Sequence, residues 1–311
     1  MTVVAAVVAL SSVAWGDPLP TSYIYGIDDS SQLWVMGLSG TTSGTATLLG
    51  PSTLSNFAAN GLAYDGSREQ LFAADTFSDE LYWWEQGATS YTSLGSISAY
   101  TSAGSPVSAA YYDNAYWFLG NGSPGNTLTK LSLTYTGGVP SIAGGTSYTI
   151  TDMATVPSGG GDMVITPAGM LYAYSAPGLG NFFSVDLNTI SGGSVGGYSV
   201  ISTTPDTGLQ LALSTDNATL YGHDYTTGNW YTVDTSNGST TQIQGFTTLP
   251  ASGNGFRDVG GSSVQAVPEP STMVLAAMGL GIVAWQVNRR RASRVRGEAR
   301  HAAGGPIVLL T

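Results

Sequence analysis

Carboxylates are the only abundant side chains in this 311-residue chain that are suited to acid–base or metal chemistry. The chain has no cysteine and only two histidines, His223 and His301, which excludes thiol nucleophiles and histidine-rich metal sites. Asp28, Asp75 and Asp224 each follow a short aromatic segment at the same relative position. Three carboxylates on one face would form a candidate site for Ca²⁺, which prefers oxygen ligands, or for hydrolysis by paired carboxylates.

The same aspartates also have a purely structural interpretation, which we favour. An aspartate at the end of a strand accepts hydrogen bonds from the backbone of the turn that follows, and such caps recur wherever a structural unit recurs. We therefore expect no catalytic residue and no bound metal, with Ca²⁺ at these carboxylates as the alternative. We expect His223 to be a partly exposed residue at a strand end rather than part of a Ser-His-Asp set.

Two adjacent tryptophans, Trp83 and Trp84, extend the candidate ligand face. Consecutive residues of a strand face opposite ways, so one of the two indoles is expected to be exposed. An exposed indole would offer a platform for stacking a sugar ring, whereas strand aromatics more often pack in the core. The predicted ligand face consists of the three aspartates and both tryptophans: Asp28, Asp75, Asp224, Trp83 and Trp84.

A repeat of short strands positions these residues. Five aromatic segments recur at intervals of 47, 44, 56 and 49 residues, measured between Tyr25, Phe72, Tyr116, Tyr172 and Tyr221. A period near 45 residues with four strands in each unit is typical of a β-propeller. We predict an all-β propeller of five four-stranded blades over residues 17–264. Six blades are the alternative if the 56-residue interval hides another, and a β-sandwich or irregular solenoid is the competing architecture.

The first repeat lacks its first strand, and an unpaired copy of that strand occurs at the end of the domain. Residues 254–260 (Asn-Gly-Phe-Arg-Asp-Val-Gly) parallel residues 60–66 (Asn-Gly-Leu-Ala-Tyr-Asp-Gly). We predict that this C-terminal strand completes the first blade and closes the ring. Closure would remove sheet edges that otherwise invite aggregation.

Charge is distributed unevenly along the chain. Between residues 17 and 266, 18 acidic residues stand against Arg68, Lys130 and Arg257, which leaves a formal charge of −15. A body this acidic repels phosphate groups, so nucleic acids and anionic membranes are excluded as partners. Charged residues make up only 9% of the chain, and glycine is abundant at 42 residues. This composition indicates a folded domain with many turns rather than a disordered chain.

Both ends of the chain carry apolar segments. Residues 1–16 (MTVVAAVVALSSVAWG) have small residues, Ala14 and Gly16, where a signal peptidase requires them, which predicts a signal peptide and export. Near the other end, residues 265–291 contain a proline motif, an uncharged apolar run and an arginine triplet: Pro268-Glu269-Pro270, residues 273–288 and Arg289-Arg290-Arg291. The run predicts one short transmembrane helix. The arginines should stop transfer and keep the tail 292–311 cytoplasmic.

The segment 265–291 resembles the PEP-CTERM sorting signal in all three parts and in their order. The resemblance implies processing by an exosortase, a membrane-embedded cysteine transpeptidase-like enzyme that cuts near the Pro-Glu-Pro motif. It also implies brief anchoring in the inner membrane before release to the cell surface or medium. Proteins with this signal are typically secreted by biofilm-forming bacteria that produce exopolysaccharide. We therefore expect a non-enzymatic binding or structural module of the extracellular polysaccharide matrix, with a polysaccharide-active hydrolase or lyase as the alternative.

Overall fold

The computed structural model describes residues 23–37, 46–49, 59–85, 87–101, 104–120, 126–153, 161–174, 181–203, 209–214, 217–243 and 255–261. The predicted signal peptide, sorting segment with its transmembrane helix, and cytoplasmic tail lie outside these ranges. Within them, the only helices are two single 3₁₀ turns, Ile97–Ala99 and Leu187–Thr189. No helix in the described ranges is long and apolar enough to cross a membrane.

The described part of the chain forms 21 strands. In chain order, the first eleven are β1 (Tyr23–Ile27), β2 (Leu33–Gly37), β3 (Ala46–Leu48), β4 (Ala59–Asp65), β5 (Gln70–Asp75), β6 (Glu80–Glu85), β7 (Thr92–Ser96), β8 (Pro106–Tyr112), β9 (Ala115–Gly120), β10 (Thr127–Thr136) and β11 (Val139–Ile150). The remaining ten are β12 (Met163–Ile165), β13 (Met170–Tyr174), β14 (Asn181–Asp186), β15 (Ser194–Val195), β16 (Ser199–Thr203), β17 (Leu209–Leu213), β18 (Leu220–Asp224), β19 (Trp230–Val233), β20 (Thr240–Gln242) and β21 (Asp258–Gly260).

These strands make five sheets, and each sheet is one blade of a propeller. From the ring axis outward, the orders are β21-β1-β2-β3 in blade 1, β4-β5-β6-β7 in blade 2, β8-β9-β10-β11-β15 in blade 3, β12-β13-β14-β16 in blade 4 and β17-β18-β19-β20 in blade 5. We call the first four strands of each blade A to D in this order. The prediction of an all-β propeller with five blades is confirmed.

The long interval in the repeat does not contain a sixth blade. It is filled instead by an extended hairpin in blade 3, in which β10 has 10 residues and β11 has 12. The two-residue strand β15 then adds to β11 in parallel, with Thr149 opposite Ser194. The extra length therefore enlarges one blade rather than adding another.

The ring is closed by the C-terminal strand, as the unpaired copy predicts. β21 pairs antiparallel with β1, so that Asp258 lies opposite Ile27 and Gly260 opposite Tyr25. Residues 255–261, which we call the closing segment, thereby supply the A strand of blade 1. The five A strands contact one another in the cyclic order β21, β4, β8, β12 and β17.

Apolar cores lie between the blades rather than within them. Side chains alternate along a strand, so each blade presents one apolar face to either neighbour. All six residues of β5 are buried as a result. The described residues form five apolar clusters, and each cluster joins two adjacent blades, including the pair formed by blades 5 and 1.

Candidate functional site

Asp28, Asp75 and Asp224 occupy equivalent places in three blades, at the start of the turn between strands B and C, which we call the BC turn. All three side chains are buried. The oxygens of Asp75 accept hydrogen bonds from the backbone N–H of Phe77 at 3.0 Å and from the hydroxyl of Ser78 at 2.5 Å. These carboxylates therefore face their own turns.

Asp224 repeats this arrangement in blade 5. Its Oδ1 accepts from the backbone N–H of Thr226 at 2.9 Å, and its Oδ2 accepts from the hydroxyl of Thr227 at 2.5 Å. In blade 1, Asp28 accepts from the backbone N–H of Ser30 at 2.8 Å and from the indole Nε1–H of Trp34 at 2.9 Å. In blades 2 and 5 the shared pattern is Asp-x-x-Ser/Thr, and in all three blades the aspartate caps the turn.

These three carboxylates thus use their acceptor oxygens within separate blades. Among the described residues, no group of three or more acidic or histidine side chains lies close enough together to hold a metal ion. The carboxylates of the described BC turns therefore do not converge on one point.

The expectation that Trp83 or Trp84 is exposed is wrong. Trp83 is 6% exposed and Trp84 is 2% exposed. The two indoles do face opposite ways, as strand geometry requires. However, Trp84 packs in the cluster shared with blade 1 and Trp83 in the cluster shared with blade 3. Both faces of a blade are covered by neighbours, so alternation alone does not expose a side chain.

His223 is also not the partly exposed residue that the sequence suggests, because it is 1% exposed. Its ring packs against those of Trp230 and Phe256, with centroids 4.5 Å and 5.6 Å away. The Nε2 atom accepts a hydrogen bond of 2.8 Å from the backbone N–H of Phe256. Burial lowers the pKa of His223 to about 3, so the ring is neutral at physiological pH. Phe256, which covers the ring of His223, belongs to the closing segment and lies 33 residues further along the chain.

A second polar centre, which the sequence does not reveal, lies where the A strands begin. Asp162 and Asp258 are both fully buried, and their side chains interact with each other. Asp258 accepts from the backbone N–H groups of Leu62 at 2.6 Å and Val259 at 2.9 Å. Each carboxyl therefore links its own blade to a neighbouring one.

Asp162 makes the equivalent contacts on the other side of the ring. It accepts from the backbone N–H groups of Met163 at 2.7 Å and Leu211 at 2.9 Å. Burial raises the pKa of Asp258 to about 7. Burial, and next the charge on Asp258, raise the pKa of Asp162 well above that of an ordinary carboxyl. The only sequence signal is an aspartate followed by apolar residues at the start of two A strands.

Little space remains on the ring axis beside this pair. The cavity between the A strands is lined by small and apolar residues, among them Leu62, Ala110, Val164 and Gly260. Its volume of about 10 Å³ is roughly that needed for one water molecule. This cavity is therefore too small to hold an organic ligand.

A cationic contact fixes the long hairpin of blade 3 against blade 2. Arg68 Nη1 donates to Asp65 Oδ2 at 2.9 Å, and its guanidinium lies 3.7 Å from the ring centroid of Tyr135. Gln70 Nε2 donates to the carbonyl of Gly138, at the hairpin turn, at 2.7 Å. The one ion pair formed among the described residues thus has an architectural role.

The exposed surface of the ring is rich in hydroxyl groups. The D strands β7, β16 and β20 have the sequences TSLGS, SVIST and TTQ, and their residues are exposed or half-buried. At the BC turn of blade 2, the side chain of Phe77 is 80% exposed. On these three D strands, the residues accessible to a partner are therefore mainly Ser and Thr.

Comparison with known proteins gives one sequence match and several similarities of fold. The PEP-CTERM protein-sorting motif matches residues 266–291, in agreement with the sequence analysis. No curated protein matches the chain. A chain of a nidogen/laminin complex is 12% identical with a TM-score of 0.45, over 72% of this chain and 79% of that chain.

Two further solved structures are similar at the same level. One is a functionally unknown protein from Desulfotomaculum acetoxidans DSM 771, 14% identical with a TM-score of 0.41 over 76% of this chain and 73% of that chain. The other is virginiamycin B lyase from Staphylococcus aureus, 12% identical with a TM-score of 0.39 over 74% of this chain and 71% of that chain. Similarities this distant do not bear on function. The chain combines a five-bladed propeller arrangement with a PEP-CTERM protein-sorting motif, which implies an exported, membrane-anchored precursor that is processed by an exosortase.

Proposed function

We propose that this protein is a non-enzymatic binding or structural module of the cell surface or extracellular medium, which acts in the exopolysaccharide matrix of a biofilm. The observation that carries the proposal is how the buried carboxylates are used. In the BC turns and at the ring axis they accept hydrogen bonds from the protein's own N–H and hydroxyl groups. A hydrolase that uses two carboxylates needs both of them beside a substrate.

The exposed surface supports a carbohydrate partner. Ser and Thr hydroxyls both donate and accept hydrogen bonds, which matches the hydroxyl groups of a sugar. The propeller region is also strongly acidic, with 18 acidic residues against three cations between residues 17 and 266. Like charges repel an anionic polymer. We therefore propose a neutral polysaccharide rather than an acidic one as the ligand.

A retention experiment tests this proposal. The full-length chain, purified in mild detergent, is passed over immobilised dextran, cellulose and alginate, and the eluate is assayed for newly formed reducing ends and unsaturated products. We expect retention on a neutral polymer, weak retention on alginate and no products. Product formation would favour the hydrolase or lyase alternative, and no retention on any polymer would count against the carbohydrate ligand.

A pair of variants locates the contact face. Phe77 is the most exposed of the large apolar side chains in the described residues, and it lies on the face that carries the BC turns. Phe77→Ser should reduce retention at least threefold if that face binds the ligand, because an aromatic ring stacks on a sugar ring. Leu48→Ser, at a partly exposed position in β3, is the matched control and should leave retention unchanged.

Processing by an exosortase is tested separately in the producing cell. Glu269 is the only charged residue of the Pro-Glu-Pro motif, and Glu298 lies beyond the arginine triplet. Glu269→Ala should keep the protein in the membrane fraction, whereas Glu298→Ala should be released like the wild type. Normal release of the Glu269→Ala variant would show that this carboxylate is not part of the recognition.

A further inference from the structure

We propose that Asp162 and Asp258 form a proton-dependent clasp that holds the closing segment in the ring, and that the ring loosens at β21 when this clasp ionises at alkaline pH. The inference rests on the position of the two carboxyls, their complete burial and the blades that they connect. It is independent of the proposed carbohydrate ligand, because it concerns only how the ring is held closed.

The hydrogen bonds of the clasp join four blades, and Tyr116 of the remaining blade interacts electrostatically with both carboxyls. Asp258 belongs to blade 1 and binds the backbone N–H of Leu62 in blade 2. Asp162, next to strand A of blade 4, binds the backbone N–H of Leu211 in blade 5. Tyr116 of blade 3 is buried beside both carboxyls and donates its hydroxyl to the carbonyl of Gly61 at 2.6 Å. Displacing Asp258 would therefore disturb the point where the A strands meet.

The pair needs at least one proton to be stable. Two neighbouring carboxylates repel each other, and a fully buried site offers little water to screen them. Tyr116 is the other titratable group that faces the pair, and it is neutral because burial raises its pKa. Two of the nearby blades' cations have other partners, since Lys130 lies over the ring of Trp117 and Arg68 binds Asp65. Arg257, which precedes Asp258, is partly exposed, whereas Asp258 is not.

The direction of the pH effect follows from these surroundings. Both carboxyls have a folded-state pKa above the value of about 3.9 that an unfolded Asp shows, and for Asp258 it is about 7. The folded ring therefore retains protons that the unfolded chain loses. The contribution of Asp258 is fully present below about pH 4 and is lost as pH rises through about 7, and that of Asp162 is lost as pH rises through its own raised pKa.

Cysteine labelling can follow the opening of the closing segment directly, because the chain has no cysteine of its own. Val259 is buried in β21, and Val233 is buried in strand C of blade 5. Val259→Cys in the full-length chain is labelled with a maleimide between pH 6 and pH 9, and each rate is divided by that of the urea-unfolded chain at the same pH. Val233→Cys serves as the control for general loosening.

We expect the corrected labelling rate of the Val259→Cys variant to rise at least tenfold across this range, since each unit of pKa shift corresponds to a factor of ten. The rate of the Val233→Cys variant should rise much less. Adding Asp162→Asn to Val259→Cys should reduce the rise to less than threefold, because an amide donates to Asp258 at every pH and has no proton to lose. Asp75→Asn, a change at a BC turn, should leave the tenfold rise intact.

The proposal is overturned if the labelling rate of the Val259→Cys variant does not depend on pH, or if Asp162→Asn leaves the rise unchanged. It is also overturned if the Val233→Cys variant follows the same profile, because the whole ring would then be loosening. If Asp162→Asn does not fold, Asp258→Asn tests the same clasp from the other side. A rise that also persists in that variant would exclude a role for the pair.

Discussion

The backbone N–H of Phe256 donates a hydrogen bond of 2.8 Å to Nε2 of His223. This bond ties the closing segment to strand B of blade 5, separately from the pairing of β21 with β1. Two more backbone hydrogen bonds flank it, from Gly255 to the carbonyl of Tyr225 at 3.0 Å and from Arg257 to the carbonyl of Ile27 at 2.8 Å. The histidine is therefore part of ring closure, and it can accept this bond only while Nε2 is unprotonated.

Acid should weaken the ring through His223. Its folded-state pKa of about 3 lies below the value of about 6.5 in an unfolded chain, so the unfolded chain binds the proton first. Stability should fall as pH drops from about 6.5 to about 3, by up to about 1.4 kcal/mol per pH unit from this residue. His223→Phe should show a shallower fall in urea unfolding, with a constant loss of about 1–3 kcal/mol for the unpaired N–H. Identical pH profiles for wild type and variant would contradict this assignment.

Gly26 and Phe256 should show strong energetic coupling. A Cβ atom at Gly26 would clash with Cδ1 of Phe256, so Gly26→Ala should destabilise the ring by about 1–3 kcal/mol through overpacking. Phe256→Ala alone should lower the free energy of unfolding by about 3–5 kcal/mol, because it leaves a cavity in the core between blades 5 and 1. In the double variant the added methyl group has room, so the total should be smaller than the sum. Additive effects in a double-mutant cycle would contradict the packing.

Removal of the turn cap should cost more in blade 1 than in blade 2. Asp75→Ala removes the cap of its turn and should cost about 1 kcal/mol. Asp28→Ala also leaves the buried indole N–H of Trp34 without its acceptor, which should add about 1–3 kcal/mol. Equilibrium unfolding in urea measures both losses.

EDTA should leave the melting temperature of the wild type unchanged, and a fall would instead indicate a metal bound at these turns.

Arg68→Ala should loosen the long hairpin of blade 3. It would leave the buried carboxylate of Asp65 without its ion-pair partner and remove the cation above Tyr135. Hydrogen exchange should accelerate in residues 133–142 and remain unchanged in β18 of blade 5. Arg68→Lys should restore only part of the protection, because an ammonium lacks the planar fork that binds a carboxylate and stacks on a ring. Full protection in the alanine variant would show that the hairpin is held by other contacts.

Two truncations should separate the ring from the sorting segment. A chain that ends after Gln265 retains β21 and should unfold cooperatively at the same urea concentration as the full-length chain, since residues 1–265 form one compact unit. A chain that ends after Asn254 lacks the closing segment and exposes the edge of β1. It should lose cooperativity and aggregate, because an unpaired strand edge is a template for association. Equal behaviour of the two fragments would rule out closure by β21.

The architecture could be predicted because the repeat is visible along the chain. Each B strand carries an aromatic residue at a regular interval, and residues 254–260 resemble the start of the second repeat closely enough to reveal the closure. The caps at Asp28, Asp75 and Asp224 could be anticipated for the same reason, since turn chemistry is local.

Contacts across the ring could not be predicted in this way. Asp162 and Asp258 stand in different blades and meet only where the A strands converge, so neither sequence neighbourhood indicates a partner. His223 is buried by Phe256, which arrives from the far end of the domain. Trp83 and Trp84 follow the alternation of a strand, but the alternation does not reveal that a blade lies on either side.

The position of β21 also determines when the ring can form. Leu62 and the carboxylate of Asp258 that binds it are 196 residues apart in the chain. Blade 1 therefore stays incomplete until residues 258–260 are available to pair with β1. The strand that completes blade 1, β21, ends only a few residues before residue 266, where the sorting motif begins. The ring can therefore be completed only after almost all of the propeller region is available, and the sorting motif follows directly in the sequence.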